Sequence, residues 1–187
     1  MPVFTTSLRP HGGIASGAYG GILQAKLGRN GGHFSTSSTS FVDITDMNVT
    51  LTPTKQQSTF LILVSFGRAS TRQSNLDHAS QFRVMRQIGS GSFTEAHSVN
   101  GRSEGSRSRG CMTIGGLAYN DDHSIGSWAV VGCDSTNTTS NVSYKVQVRV
   151  QSSSHPLTIN RSYNNANGGE TYQSSCQSSL IVLEMSG

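Results

Sequence analysis

The sequence predicts an all-β fold, a β-sandwich or jelly roll, and three observations carry that expectation. Charged residues make up only 13% of the chain, about half the usual share of a soluble domain. Serine and threonine supply about a quarter of the residues, and there are 21 glycines. That mixture disfavours helices, because hydroxyl side chains compete for backbone hydrogen bonds and glycine raises the entropy cost of ordering. Short segments of period-two apolar alternation recur with turn residues between them. A helical bundle is excluded.

Residues 1–34 stand apart from the rest. Gly12, Gly13, Gly17, Gly20, Gly21, Gly28, Gly31 and Gly32 break every periodic pattern except one short candidate strand, Ile22 to Leu27. The stretch carries Arg9, Lys26 and Arg29 and no acidic residue. It reads as an extended N-terminal arm that becomes ordered against a partner, with Arg9, His11, Ile22, Leu23, Lys26, Leu27 and Arg29 as its candidate contacts. Extended, about 30 residues reach on the order of 100 Å, enough to cross a neighbouring subunit. Residues 35–187 are expected to form the folded domain.

Within that domain the strands follow in order. Met47, Val49 and Leu51 alternate with Asn48 and Thr50, and Pro53 ends the strand. Phe60 to Val64 is a continuous apolar run, the pattern of a strand covered on both faces. Phe82, Val84 and Ile88 fall on one face, with Arg83, Met85 and Gln87 on the other. Residues 111–118 and 125–133 supply two more strands, the second with the only tryptophan, Trp128. The strongest signal is 143–151, where Tyr144, Val146, Val148 and Val150 oppose Lys145, Gln147, Arg149 and Gln151. Leu157 to Ile159 follows, and Leu180 to Leu183 is apolar throughout, as a central strand would be. The irregular segments 100–110 and 160–179 are long enough to be binding surfaces.

Nothing in the chain carries the residue pattern of a catalyst. Gly101-Arg102-Ser103-Glu104-Gly105 matches a nucleophile-elbow string but lacks the strand before it and the helix after it. Tyr119 to His123 gathers two carboxylates and an imidazole in a solvated turn. Asp134 to Asn137 opens like a calcium loop yet has Lys145 where the closing glutamate belongs, so it reads as a hairpin. The six histidines are scattered singly, without metal-ligand spacing. No cofactor and no metal is therefore expected. Arg102, Arg107 and Arg109 make a basic loop, but the aromatic platforms of a nucleic-acid groove are missing.

Arginine outnumbers lysine 11 to 3, a preference suited to forked contacts at interfaces. Apolar content is 34%, low for a self-sufficient subunit of this length, which suggests that part of the core lies between subunits. Cys111, Cys133 and Cys176 are expected to be free thiols. No apolar run is long enough to span a membrane. The first residues lack the basic and apolar blocks of a signal peptide, so synthesis in a cytoplasm is expected. The four Asn-x-Ser/Thr sites (Asn48, Asn137, Asn141, Asn160) are the number such a composition produces by chance.

Three stretches together resemble a domain found in virion proteins of tailed phages, particularly cyanophages and other marine phages. One runs from Gly32 through Phe41-Val42-Asp43 to Pro53. The second joins Gly126-Ser127-Trp128 and Asp134 to Tyr144-Lys145-Val146-Gln147-Val148. The third is Ser179 to Met185. The resemblance covers about residues 32–187. It implies a jelly-roll β-sandwich similar to the C1q and tumour-necrosis-factor type, which trimerises, and hence a virion surface protein without enzymatic activity. With no heptads or collagen repeat ahead of the domain, the expectation is a capsid cement or decoration protein. It would trimerise and seat on the capsid exterior through its arm, with the major capsid protein as partner. The alternative is a tail fibre or appendage head, bound to tail proteins, that recognises a host-surface receptor or glycan. Its recognition loops would carry Arg102, Arg107, Arg109, Tyr163 and Tyr172.

Overall fold

The computed structural model describes residues 21–71, 79–115, 126–162 and 175–186. Among these there is no helix, and eleven strands form two antiparallel sheets: β1 (Ile22–Asn30), β2 (Phe34–Thr36), β3 (Val42–Leu51), β4 (Gln57–Thr71), β5 (Ala79–Ile88), β6 (Thr94–Glu95), β7 (Met112–Gly115), β8 (Gly126–Asn137), β9 (Val142–Val150), β10 (Leu157–Ile159) and β11 (Ser178–Met185). Sheet I is built on the long β4. One edge of β4 pairs with β8, the other with β11 and then β10, and these are flanked by β1 and β2. Sheet II runs β3-β9-β5, with β6 and β7 side by side on the free edge of β5.

The alternation in the sequence decides which side chains enter the gap between the sheets. Tyr144, Val146, Val148 and Val150 of β9 are all buried, as are Phe60, Ile62, Val64 and Phe66 of β4 and Leu180 and Val182 of β11. Aromatic pairs bridge the two layers, Phe60 to Tyr144 with centroids 5.9 Å apart and Phe66 to Phe82 at 4.7 Å. On β3 both Ile44 and Met47 face inward, which strict period two forbids. The register against β9 shifts between Asp43 and Asn48, and Asp46 takes a positive φ of 61°. This bulge absorbs the odd residue.

Three expectations need correction. Residues 22–30 are not an arm waiting for a partner: β1 pairs with β11 within the subunit, Leu27 opposite Ile181 and Ala25 opposite Leu183. β1 also packs onto β3 so closely that a Cβ on Gly28 would sit 2.4 Å from the Asn48 carbonyl oxygen, so only glycine lets the two sheets meet along that side. Second, Asp134 to Asn137 is not a hairpin. These residues finish β8 in sheet I, and the short segment 138–141 crosses to β9 in sheet II. Third, Ile88 is 38% exposed while Met85, placed on the outer face, is buried, because β6 pairs alongside at Met85.

Two buried polar clusters hold the ends of this architecture. Asp134, 2% exposed, accepts hydrogen bonds from Arg86 Nη1 at 2.9 and 3.0 Å, Tyr144 Oη at 2.8 Å and Ser98 Oγ at 3.1 Å. It thereby ties β8 to β5 and β9 across the two layers. Burial, and the Asp134 charge beside it, push the Tyr144 phenol well above its ordinary value, so its hydroxyl stays a donor.

The second cluster surrounds Glu184, which is fully buried and has no basic partner among its contacts. Its Oε1 accepts from the Thr54 amide (2.7 Å), Thr54 Oγ1 (2.9 Å) and Ser58 Oγ (2.5 Å), and its Oε2 accepts from Gln24 Nε2 (2.6 Å). Burial alone would raise the carboxyl pKa. The hydrogen bonds from Ser58, Gln24 and Thr54 outweigh it, and the net shift is downward. A carboxylate lowered on folding stabilises fully above its unfolded value and loses that contribution as pH falls through the folded one. Resistance to urea is therefore expected to fall as pH drops below about 4.3, the ordinary glutamate value. Glu184→Gln, which turns one donor toward Gln24, should cost about 1–3 kcal/mol at pH 7 and flatten the acid limb. Urea midpoints for both proteins between pH 7 and 3 check this.

Asn160 closes the far end of sheet I from a positive φ of 70°. Its amide donates to the Asn30 and Gly32 carbonyls at 2.9 and 2.8 Å, and its side-chain oxygen accepts from Ser178 Oγ at 2.6 Å. Of the four Asn-x-Ser/Thr sites it alone is buried.

Candidate assembly surface

The outer faces of the two sheets differ sharply in chemistry. On sheet I the strand register sets side chains in rows across four strands. Leu27, Ile181, Leu63 and Val131 form one row. Ala25, Leu183, Leu61 and Cys133 form the next. Val131 is 64% exposed and Leu27 59%, while Leu61, Leu63, Ile181 and Leu183 are half-buried. The flanking rows bring in polar residues, Arg29, Ser179 and Ser65 beside Ala129 at one end, and Thr59 and Ser135 beside Ile22 and Met185 at the other. An apolar centre with a polar rim is the anatomy of a protein interface, and a continuous exposed patch of this kind marks an interaction site.

The outer face of sheet II is a charged and hydrogen-bonded lattice. Arg83 Nη1 pairs with Glu95 Oε1 at 3.2 Å and Lys145 Nζ with Asp43 Oδ2 at 2.9 Å. Phe41 lies under the guanidinium of Arg83, 3.9 Å away, and Phe93 under Lys145 Nζ at 4.1 Å. Burial raises the Asp43 carboxyl pKa, but hydrogen bonds from Lys145 and Gln147 and the charges of Lys145 and Arg83 bring it below its ordinary value. This face is satisfied in water. Sheet I's is not.

Of the residues singled out as arm contacts, Ile22, Leu23, Lys26, Leu27 and Arg29 lie on β1, all exposed, and Leu27 belongs to the apolar centre. Arg9 and His11 lie outside the described residues, as do Tyr163, Tyr172 and the segment from Tyr119 to His123. The 101–110 segment folds back on itself, Gly101 N donating to the Gly110 carbonyl at 2.9 Å. Arg102 is exposed, Arg107 pairs with Glu104 at 3.1 Å, and Arg109 contacts His97 and approaches Glu95 at 4.0 Å. The three basic residues thus do not converge on one point.

Residue-by-residue reading missed Leu61, Leu63, Val131, Ile181 and Leu183 as a site. Their signal was present in the two continuous apolar runs. A strand buried on one face needs only alternate apolar positions, and these strands have both.

The cysteines are unpaired. Cys133 opens onto the apolar face, whereas burial pushes the Cys111 thiol up to about 12. Among the described residues no group of three or more metal-ligating side chains gathers, and no helix is long and apolar enough to cross a membrane. Comparison with protein-family models and with curated proteins finds no match to this chain.

Proposed function

We propose that this chain is a non-enzymatic phage virion surface protein, a capsid cement or decoration protein that forms a homotrimer and seats on the exterior of the shell. The observation that carries the reading is the apolar outer face of sheet I, which one subunit alone leaves in water. Burying it against copies of itself removes roughly 25 cal/mol per Å² of apolar surface from water. An uncharged sheet face serves equally well as either side of a contact between identical subunits. The strand arrangement supports a jelly roll: the chain passes repeatedly from one layer to the other, and antiparallel sheets of six and five strands enclose a single core. The resemblance to C1q and tumour-necrosis-factor domains supports three copies rather than two.

In this reading sheet II faces outward and the residues before β1, with Arg9 and His11, reach the shell beside Lys26 and Arg29. Attachment stabilises the capsid by mass action, because the trimer binds only the assembled form.

Light scattering of the purified protein should give three times the 19.9 kDa of one chain, and purified particles should carry hundreds of copies. Removing residues 1–20 should leave the trimer intact and abolish attachment; a cut to residue 30 would instead take away β1. A monomer at every concentration would overturn the reading. A handful of copies per particle would favour the second reading, an appendage head, for which the exposed Arg102 and Arg107 on the 101–110 segment speak.

A further inference from the structure

We infer that the outer face of sheet II carries a binding site for a carboxylate-bearing sugar, centred on Arg149. A cleft of about 330 Å³ opens there, lined by Thr39, Ala79, Gln81, Thr113, Arg149 and Gln151 among others. That volume lies at the lower end of small-ligand sites, the size of one or two sugar rings. Its residues come from the loop before β3, from β5 and β7, and from the end of β9.

The charge pattern singles out Arg149. Four cations sit on the strands of sheet II, and three have carboxylates: Arg83 with Glu95, Arg86 with Asp134 and Lys145 with Asp43. Arg149 has neutral partners only. Its Nε donates to Gln81 Oε1 at 3.1 Å, its Nη2 donates to Ser108 Oγ at 2.7 Å, and its guanidinium lies 4.9 Å from the centroid of the Phe41 ring. Gln81 is itself fixed, its Nε2 donating to the Ser108 carbonyl at 3.0 Å. The guanidinium is therefore held by one edge and by stacking, while Nη1 has no partner among the described residues. A fork immobilised in this way loses little entropy on binding and matches a carboxylate in two-point geometry.

The rest of the cleft supplies hydrogen-bonding groups. Gln151 Oε1 accepts from the Ala79 amide at 3.2 Å, which orients its NH2 group. The hydroxyls of Thr39 and Thr113 have no protein partner among the described residues. A cation flanked by an amide and two hydroxyls fits a ring that bears one carboxylate and several hydroxyls. A bare carboxylate, such as an acidic peptide side chain presents, would engage the guanidinium and leave the amide and the two hydroxyls unused. The site lies within one subunit and does not rest on the assembly reading.

The test is an NMR titration of the full-length protein with D-glucuronate, D-glucose and acetate as probes. Glucuronate should give saturable shifts at Thr39, Gln81, Thr113 and Gln151, with glucose and acetate each about tenfold weaker or more. Arg149→Gln should weaken glucuronate binding by about tenfold. Arg149→Lys, which keeps the charge and loses the fork, should do nearly the same. Because either change loosens the 101–110 segment, Thr113→Val serves as a variant away from it, with an expected loss of about threefold. Shifts that never saturate overturn the proposal. So does acetate binding as tightly as glucuronate, which would mean a plain carboxylate site such as an acidic peptide uses, and so does unchanged affinity in all three variants.

Discussion

Leu63→Lys is expected to split the proposed homotrimer into single subunits without unfolding them. Leu63 lies on the outer face of β4 between Ile181 and Val131, and its side chain does not enter the core. In an isolated subunit the lysine stem can lie along its neighbours with the ammonium in water, so the fold should lose no more than about 0.5 kcal/mol. Between copies the same ammonium would be buried among leucine, isoleucine and valine with no carboxylate near. An unpaired buried charge costs several kcal/mol, and each ~1.4 kcal/mol is tenfold in affinity. Association should therefore weaken by about 100-fold or more. Val131→Lys, at a site 64% exposed in the single subunit, should act in the same direction with even less effect on folding. Sedimentation velocity over a range of concentrations, with thermal melts of the same samples, separates the two effects. Variants that still sediment as trimers would rule this face out as the contact.

The largest loss of stability is expected from Asp134→Ala. That carboxylate is the common acceptor for Arg86, Tyr144 and Ser98. Without it the Arg86 charge, on a side chain only 23% exposed, has no counter-ion, and the Tyr144 hydroxyl is left buried without an acceptor. Breaking one side of such a pair typically costs about 3–5 kcal/mol, a large share of the ~5–15 kcal/mol that holds a domain folded. The cost lies in the orphaned groups rather than in the ion pair as such. The triple replacement Arg86→Met, Asp134→Leu and Tyr144→Phe should accordingly recover most of the loss. Urea denaturation of the single and triple variants tests this. A single variant within 1 kcal/mol of the parent would show that water or another group takes over the role of Asp134.

Much of this architecture was readable before any coordinates. The alternation from Tyr144 to Val150 specified a strand with one buried face, and β9 is central in sheet II. The apolar run from Leu180 to Leu183 pointed to a central strand, and β11 lies between β1 and β4. What escaped depended on partners far away in the chain. Ile22 to Leu27 reads as a strand, but glycines surround it and its partner lies at the other end of the domain, so the local pattern alone reads as an arm. Asp134 and Thr136 looked like turn residues because polar side chains at alternate positions give no hint that Arg86, on another strand, will neutralise one of them. Arg86 itself was not recognised as inward-facing, since the same face carries Phe82 and Val84. The sheet I surface was half-read. The run at 60–64 has the pattern of a strand covered on both faces, and the single subunit buries only the face with Phe60, Ile62 and Val64. The cleft at Arg149 gave no signal, because its walls come from four separate segments, none with a motif.

The position of β11 governs how the polypeptide reaches this state. Gln24 and Glu184 meet across 160 residues of chain, and sheet I cannot close until the segment from Ser178 onward has emerged and inserted between two strands made long before. Pairings so remote in sequence put folding in the slow regime of milliseconds to seconds. Until then β1 and the β11 side of β4 present greasy, unpaired edges, which invite strand exchange between neighbouring nascent chains. Recovery of soluble protein should thus depend on translation speed and crowding at the ribosome more than on the final stability of the sandwich.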